Sequence, residues 1–254
     1  MTTTQPAIKT AANPAHAAWI RPTTVVLARS FFMLVAQGLV AAIYLARGHP
    51  SPWNAAAPWW TVYATLVDLG CLALLITFTR AEGIRLRDLI GKIQLRRGQD
   101  IFLGLGCLAV MVFMFSLPGW VANRLGFEVS KIMYPGLFWQ RHLPTWAVIY
   151  SFSLFWLIWS PTEEMTYNGY ALPRLRSLLG HKWVALLIVG FWWALQHSFL
   201  PFIPDWKYVL WRFLFFLPGV IVMMLLYLSM RRLAPLILAH WVMDCSAVFY
   251  TLSF

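Results

Sequence analysis

The chain has 254 residues, of which 60% are hydrophobic, 17% aromatic and only 11% charged, and its mean hydropathy is +0.66. Soluble domains carry roughly 25% charged and about 45–50% apolar residues, so a soluble enzyme, a disordered chain and a fibrous repeat are excluded in favour of a polytopic membrane protein. The net charge of +11 does not call for nucleic acid, because most basic residues lie between apolar stretches, where they orient a membrane protein.

Residues 1–22 are polar and alanine-rich, with Pro6, Pro14 and Pro22. No apolar core with a cleavage site follows a basic start, so this segment reads as a flexible cytoplasmic tail and not a secretory signal. Apolar spans follow at 24–46, 58–79, 101–121, 144–160, 183–200, 208–230 and 233–253. A helix needs about 20 residues to cross roughly 30 Å of hydrocarbon. Between the second and third spans, Ile84, Leu86, Leu89, Ile90 and Ile93 alternate with basic residues, which predicts an amphipathic surface helix over 81–99. The fourth and fifth spans are short, and the semi-polar stretch 161–180 between them predicts a helix partly sunk in the protein interior. The expected fold is all-α, a polytopic transmembrane bundle of seven to eight membrane helices, with residues 23–254 forming a single unit. An N-terminus in the cytoplasm places 14 of the 20 Lys and Arg residues inside and six outside. Cys71, Cys107 and Cys245 all lie in apolar stretches without metal-type spacing and read as small apolar residues.

Ionisable residues inside the spans carry the functional signal, because charge within a bilayer costs at least ~2.5–3.5 kcal/mol per residue. They fall in four places: Glu163-Glu164, His197, His240 with Asp244, and Asp68. Asp68 stands alone in the second span and reads as structural, paired with Arg29 of the first. The others show a common spacing. Trp193 and His197, His240 and Asp244, and Glu164 and Asn168 are each i, i+4 pairs on one helix face. Three helices thus each present a polar pair, and a shared interior cavity is the least costly place for them. Two histidines and two or three carboxylates suit peptide-bond hydrolysis. A buried carboxylate beside another can act as general base, a histidine can hold the attacking water, and a second polar pair can stabilise the oxyanion. The same donors are ordinary zinc ligands, so the cofactor is either none or a divalent metal such as zinc.

Glu163-Glu164 followed by Tyr167-Asn168-Gly169-Tyr170, then Trp193-x-x-x-His197, then His240-x-x-x-Asp244, resemble the three ordered motifs of the CPBP intramembrane proteases. That family includes the type II CAAX prenyl endopeptidases and their bacterial relatives. Its pattern is EExxxR, FxxxH and HxxxN or HxxxD on late membrane helices. The resemblance covers residues 145–253. It implies a bundle whose polar cavity opens to the cytoplasm and an endopeptidase acting on a membrane-associated or lipid-modified peptide or protein. It further implies that Glu163 is the general base, positioning water with His197. Glu164 would support it, and His240 with Asp244 would stabilise the oxyanion.

Three departures stand out. Asn168 replaces the arginine of the first motif and brings no positive charge to the carboxylate pair. Trp193 replaces phenylalanine. Asp244 replaces the commoner asparagine and, when ionised, cannot donate a hydrogen bond. The alternative expectation is a non-catalytic membrane protein of the same family, a scaffold or immunity-type binder. A proton-coupled transporter is disfavoured by the lack of an internal repeat. The expected setting is a bacterial plasma membrane with the N-terminus in the cytoplasm and no nucleic-acid partner.

Overall fold

The structure, a computed structural model, describes residues 14–91, 93, 98–126 and 143–252, with side chains described between 18 and 245. Its regular elements are all helical among the described residues: α1 (Pro14–Ala46), α2 (Pro52–Ala56), α3 (Trp60–Ala81), α4 (Gln99–Arg124), α5 (Thr145–Phe152), α6 (Phe155–Glu164), α7 (Leu172–Leu179), α8 (Lys182–Gln196), α9 (Trp206–Met230) and α10 (Ala234–Leu252). A π-helical segment, Met165–Ala171, joins α6 to α7. Among the described residues, 18–46, 52–81, 99–124 and 206–230 are long and apolar enough to cross a membrane, and 182–196 and 234–245 are shorter apolar helices.

Each apolar span of the sequence has a helical counterpart, with three differences. The helix α1 starts at Pro14, so residues 14–22, expected in the tail, form its first turns; residues 1–13 lie outside the described residues. Proline suits a first helical position, and the alanines after it favour helix. The expected span 144–160 is broken after Phe152, where the Ser153 hydroxyl donates to the Ile149 carbonyl at 2.6 Å and a new helix starts at Phe155. Among the described residues of 81–99, the expected amphipathic helix does not form. Only Leu86–Leu89 make a short 3-10 turn, while Gly83, Gly91 and Gly98 take φ of 73°, 79° and 67° and interrupt any longer helix. Residues 92 and 94–97 of that stretch lie outside the described residues.

Packing runs pairwise along α1 and α3, α8 and α9, and α4 with both α9 and α10, while α6 is gripped by α3 and α10. Two apolar cores result. One gathers Trp193, Tyr167, Leu172, Met223 and Leu236 from the late helices, and the other gathers Met33, Tyr63, Val67, Phe155 and Trp159 from α1, α3 and α6. Lipid-facing side chains such as Phe31, Leu39, Phe102, Leu105 and Phe113 remain exposed, as a bilayer-solvated surface requires.

The two ends of the bundle differ in charge. At one, Arg21 and Arg174 both reach Glu82, Arg232 reaches Asp100, and the Leu233 amide donates to the Ile90 carbonyl at 3.3 Å. At the other, Trp53 and Gln37 donate to the Phe202 carbonyl, and Arg212 donates to that of Leu200. Burial alone would push the Glu82 carboxyl up, but hydrogen bonds from Arg174 and Tyr170 and the charge of Arg21 outweigh it and hold the group below its ordinary value.

Close helix approach depends on glycine at Gly219 of α9, where a Cβ would overlap the Phe115 ring of α4, itself packed edge-on against Phe216 at 5.6 Å. Gly219→Ala is expected to destabilise the protein by about 1–3 kcal/mol. Gly106→Ala, where a Cβ meets nothing within 4 Å, should be neutral or slightly stabilising. Thermal unfolding of both variants in detergent checks this, and equal melting temperatures would contradict the α4–α9 contact.

Candidate functional site

The chain from Phe155 to Leu179 is one continuous helical rod, and residues 162–172 within it are all buried. Its π segment adds a residue to the turn, a feature frequent at functional sites. Glu163 and Glu164 close α6 just before it, both fully buried. As adjacent residues on a helix they point to different neighbours, and each organises its own set of partners.

Glu163 is held from α8. Its Oε1 accepts short hydrogen bonds from Trp193 Nε1 and Gln196 Nε2. Gln196 is held in turn by the Tyr167 hydroxyl, which donates to its Oε1 at 3.1 Å, while the Tyr167 ring stacks on Trp193 at 4.8 Å and 10°. His197 lies one residue further on, with its Nε2 3.6 Å from Glu163 Oε1. Its Nδ1 is 2.9 Å from the Trp193 carbonyl, which can only accept, so Nδ1 carries the proton and a neutral ring leaves the Nε2 lone pair facing the carboxylate. The ring stacks on Phe216 at 3.8 Å, and Arg212 donates to the His197 carbonyl at 3.0 Å.

Glu164 turns instead towards α10. Its Oε2 accepts from Asn168 Nδ2 at 2.8 Å, and its Oε1 lies 3.2 Å from His240 Nδ1. His240 Nε2 lies 3.2 Å from Asp244 Oδ2, which also accepts from the Ser160 hydroxyl at 3.3 Å. Both ring nitrogens of His240 therefore face carboxylates, and both can donate only when the ring carries its second proton. Glu163 and Glu164 are adjacent at the end of α6, which brings the two sets side by side. All five residues singled out in the sequence thus fall within one region. Asp244 is the most open of them, with 15% of its side chain exposed.

Sequence reasoning missed what stands behind Glu163. Arg29 of α1 is fully buried, with Nη1 2.8 Å from Asp68 Oδ1 and Nη2 3.7 Å from Glu163 Oε2. Its guanidinium lies over the Trp159 ring at 4.1 Å. The expected Arg29–Asp68 pair is present, yet it reaches further than expected, into the site. Arg29 Nε and Nη2, Asp68 Oδ2 and Glu163 Oε2 make no hydrogen bond of their own. Trp193 and Gln196 were missed as donors. For Trp193 the signal was available, since an indole carries an N–H where phenylalanine has none.

Zinc sites draw on three or more His, Cys, Asp or Glu ligands. Among the described residues no such group is placed to hold a metal ion. The donors are divided between the two sets, Glu163 with His197 and Glu164 with His240 and Asp244. The arrangement does not fit a metal, and no step below is routed through one.

An all-helical membrane protein with carboxylates and histidines buried between its late helices defines the class. Residues 142–246 match the model of the Rce1-like family, described as type II CAAX prenyl endopeptidase Rce1-like. This is the family that the three motifs resemble, and the matched segment holds all three. Its long apolar helices make the chain an integral membrane protein, and over residues 142–246 it is similar to the Rce1-like type II CAAX prenyl endopeptidases. No curated protein and no solved structure matches it.

Breaking a buried ion pair leaves an uncompensated charge, which costs about 3–5 kcal/mol. Arg29→Met and Asp68→Asn are each expected to destabilise on that scale, and the double variant to cost clearly less than their sum. A double-mutant cycle read by denaturant unfolding checks this, and strict additivity would contradict the pairing.

Proposed function

We propose that the chain is an intramembrane endopeptidase in which Glu163 and His197 activate a water molecule for attack on a peptide bond. The observation that carries this reading is the 3.6 Å approach of His197 Nε2 to Glu163 Oε1, with Nδ1 already engaged by the Trp193 carbonyl. Two hydrogen-bond acceptors facing each other suit a water that donates one hydrogen to each. As the water oxygen bonds to the scissile carbonyl carbon, Glu163 takes its proton and later passes it to the leaving amine. Trp193 and Gln196 hold the carboxylate in place, and Arg29 supplies the positive charge behind it that position 168 does not.

Charge developing on the carbonyl oxygen is stabilised by the positive charge of the His240 ring, whose two N–H groups face Glu164 and Asp244. Glu164 and Asp244 flank that ring, so the aspartate acts by orienting and charging the histidine and need not donate itself. Asp244, the most open of the five side chains, marks the edge from which substrate approaches. By the positive-inside rule the basic end of the bundle, with the N-terminus, lies on the cytoplasmic side. The substrate is a peptide or protein presented from the bilayer, and the description of the matched family as a CAAX prenyl endopeptidase supports a lipid-modified one.

Cells carrying wild-type protein or Glu163→Gln at matched levels test the proposal through mass spectrometry of protein termini in membranes and medium. Wild type should generate defined termini that Glu163→Gln reduces by about 10²–10⁴-fold, the usual worth of a positioned acid–base group. His197→Ala should fall with it, and an uncut precursor should accumulate. Identical termini across growth conditions, with both proteins folded and inserted, would overturn the proposal in favour of a non-catalytic binder.

A further inference from the structure

A second polar feature lies away from the glutamate–histidine site. Between the end of α7, the start of α8 and the end of α9 is a cleft of about 330 Å³. Three cations from three elements line it: Arg176, Lys182 and Arg231. Trp183, Leu225 and Leu228 form its apolar part. Lys182 lies over the Trp183 ring at 4.7 Å, and Arg231 takes a left-handed backbone, φ 55°, as it caps α9.

The acids at this end of the bundle are occupied elsewhere. Glu82 holds Arg174 and Arg21, Asp100 holds Arg232, and Asp88 accepts from the Arg85 amide at 2.8 Å. Among the described residues, Arg176, Lys182 and Arg231 have no acidic partner. Helix ends do not offset this charge. The start of α8 presents about +0.5 of a charge and the end of α9 about −0.5, so the two nearly cancel and the three side chains set the sign. Arg176 is half-buried and Lys182 and Arg231 are exposed, and three cations without an acidic partner converging on one cleft make it complementary to an anion from outside.

The position of the cleft selects which anion. The candidate span Trp206–Met230 ends at it, so the cleft sits at the depth where a bilayer's phosphate groups lie. Its apolar part is on the outer side, with Trp183 and Leu225 57% and 38% exposed, as suits a ligand carrying acyl chains. Basic pockets between membrane helices on the cytoplasmic side are a known setting for acidic headgroups. We propose that this cleft is a binding site for the phosphate headgroup of an anionic phospholipid, independent of the chemistry proposed at Glu163.

Purified full-length protein in mixed micelles tests it, with native mass spectrometry reading bound phosphatidylglycerol against phosphatidylcholine of the same chains. Wild type should prefer phosphatidylglycerol. Each cation near a membrane surface is worth about a fivefold change in affinity, so Arg176→Gln with Lys182→Gln and Arg231→Asn should weaken binding roughly 100-fold. Asparagine is chosen at 231 because it tolerates the left-handed backbone. The control removes three charges from the same end outside the cleft, Arg80→Gln, Arg85→Gln and Arg87→Gln, and should bind as wild type. If the triple cleft variant fails to fold, Arg176→Gln alone should still show the fivefold loss. Equal losses in cleft and control variants would mean diffuse surface charge, and no preference for phosphatidylglycerol would mean no headgroup site; either overturns the proposal. Displacement of the lipid by an equal concentration of inorganic phosphate would overturn the lipid assignment in favour of a free anion, whereas indifference to phosphate supports the headgroup.

Discussion

A guanidinium with no exposure at all sits between two buried carboxylates. Arg29 comes from α1, Asp68 from α3 and Glu163 from α6, so one electrostatic contact fixes three helices relative to one another. A single charge in this position would cost several kcal/mol, and only the assembled trio offsets that cost. Glu163 extends the constraint to α8 through Trp193, Gln196 and His197. Four helices thus meet at one carboxylate, where the two apolar cores adjoin. Arg29 stacks on Trp159 of one core, and Glu163 bonds to Trp193 of the other.

The rod carrying Glu163 and Glu164 divides their work because adjacent residues leave a helix in different directions. Glu163 looks towards α1 and α8, and Glu164 towards α10. The π segment that follows stays helical while passing close to its neighbours. A Cβ at Gly169 would lie 2.9 Å from Leu233 and 3.3 Å from Leu89, so the smallest residue stands where the turn Leu86–Leu89 and the start of α10 press on the rod. The same segment carries Asn168, whose amide engages Glu164. The missing arginine of the first motif therefore leaves neither carboxylate without a partner. A neutral donor serves Glu164, and a distant cation faces Glu163.

Helices and site differ in how legible they were. Apolar runs placed the helices, because lipid solvation demands them whatever the tertiary packing. The break after Phe152 was hidden inside an uninterrupted apolar run, where hydropathy carries no boundary signal. The surface helix over 81–99 was misread because its apolar spacing looked helical while Gly83, Gly91 and Gly98 permitted turns. Spacing brought out Glu163, Glu164, His197, His240 and Asp244, since intramembrane charge is rare and i, i+4 pairs share a face. Arg29 was legible only as a partner for Asp68. Its approach to Glu163 joins residues 134 positions apart, which no local pattern encodes. Gln196 looked like an ordinary neighbour of His197, and only the packing of α8 against α6 made it a donor.

Glu163 is proposed as the group that takes a proton from water during cleavage of a peptide bond. The most direct test of this role is purified chain reconstituted in vesicles with a library of apolar and lipid-modified peptides, the products being read by mass spectrometry. Wild type should release fragments whose summed masses exceed the parent peptide by one water, and correctly folded Glu163→Gln should leave the same peptides whole. Equal fragmentation by both proteins, or a folded wild type that leaves every peptide intact, would contradict it.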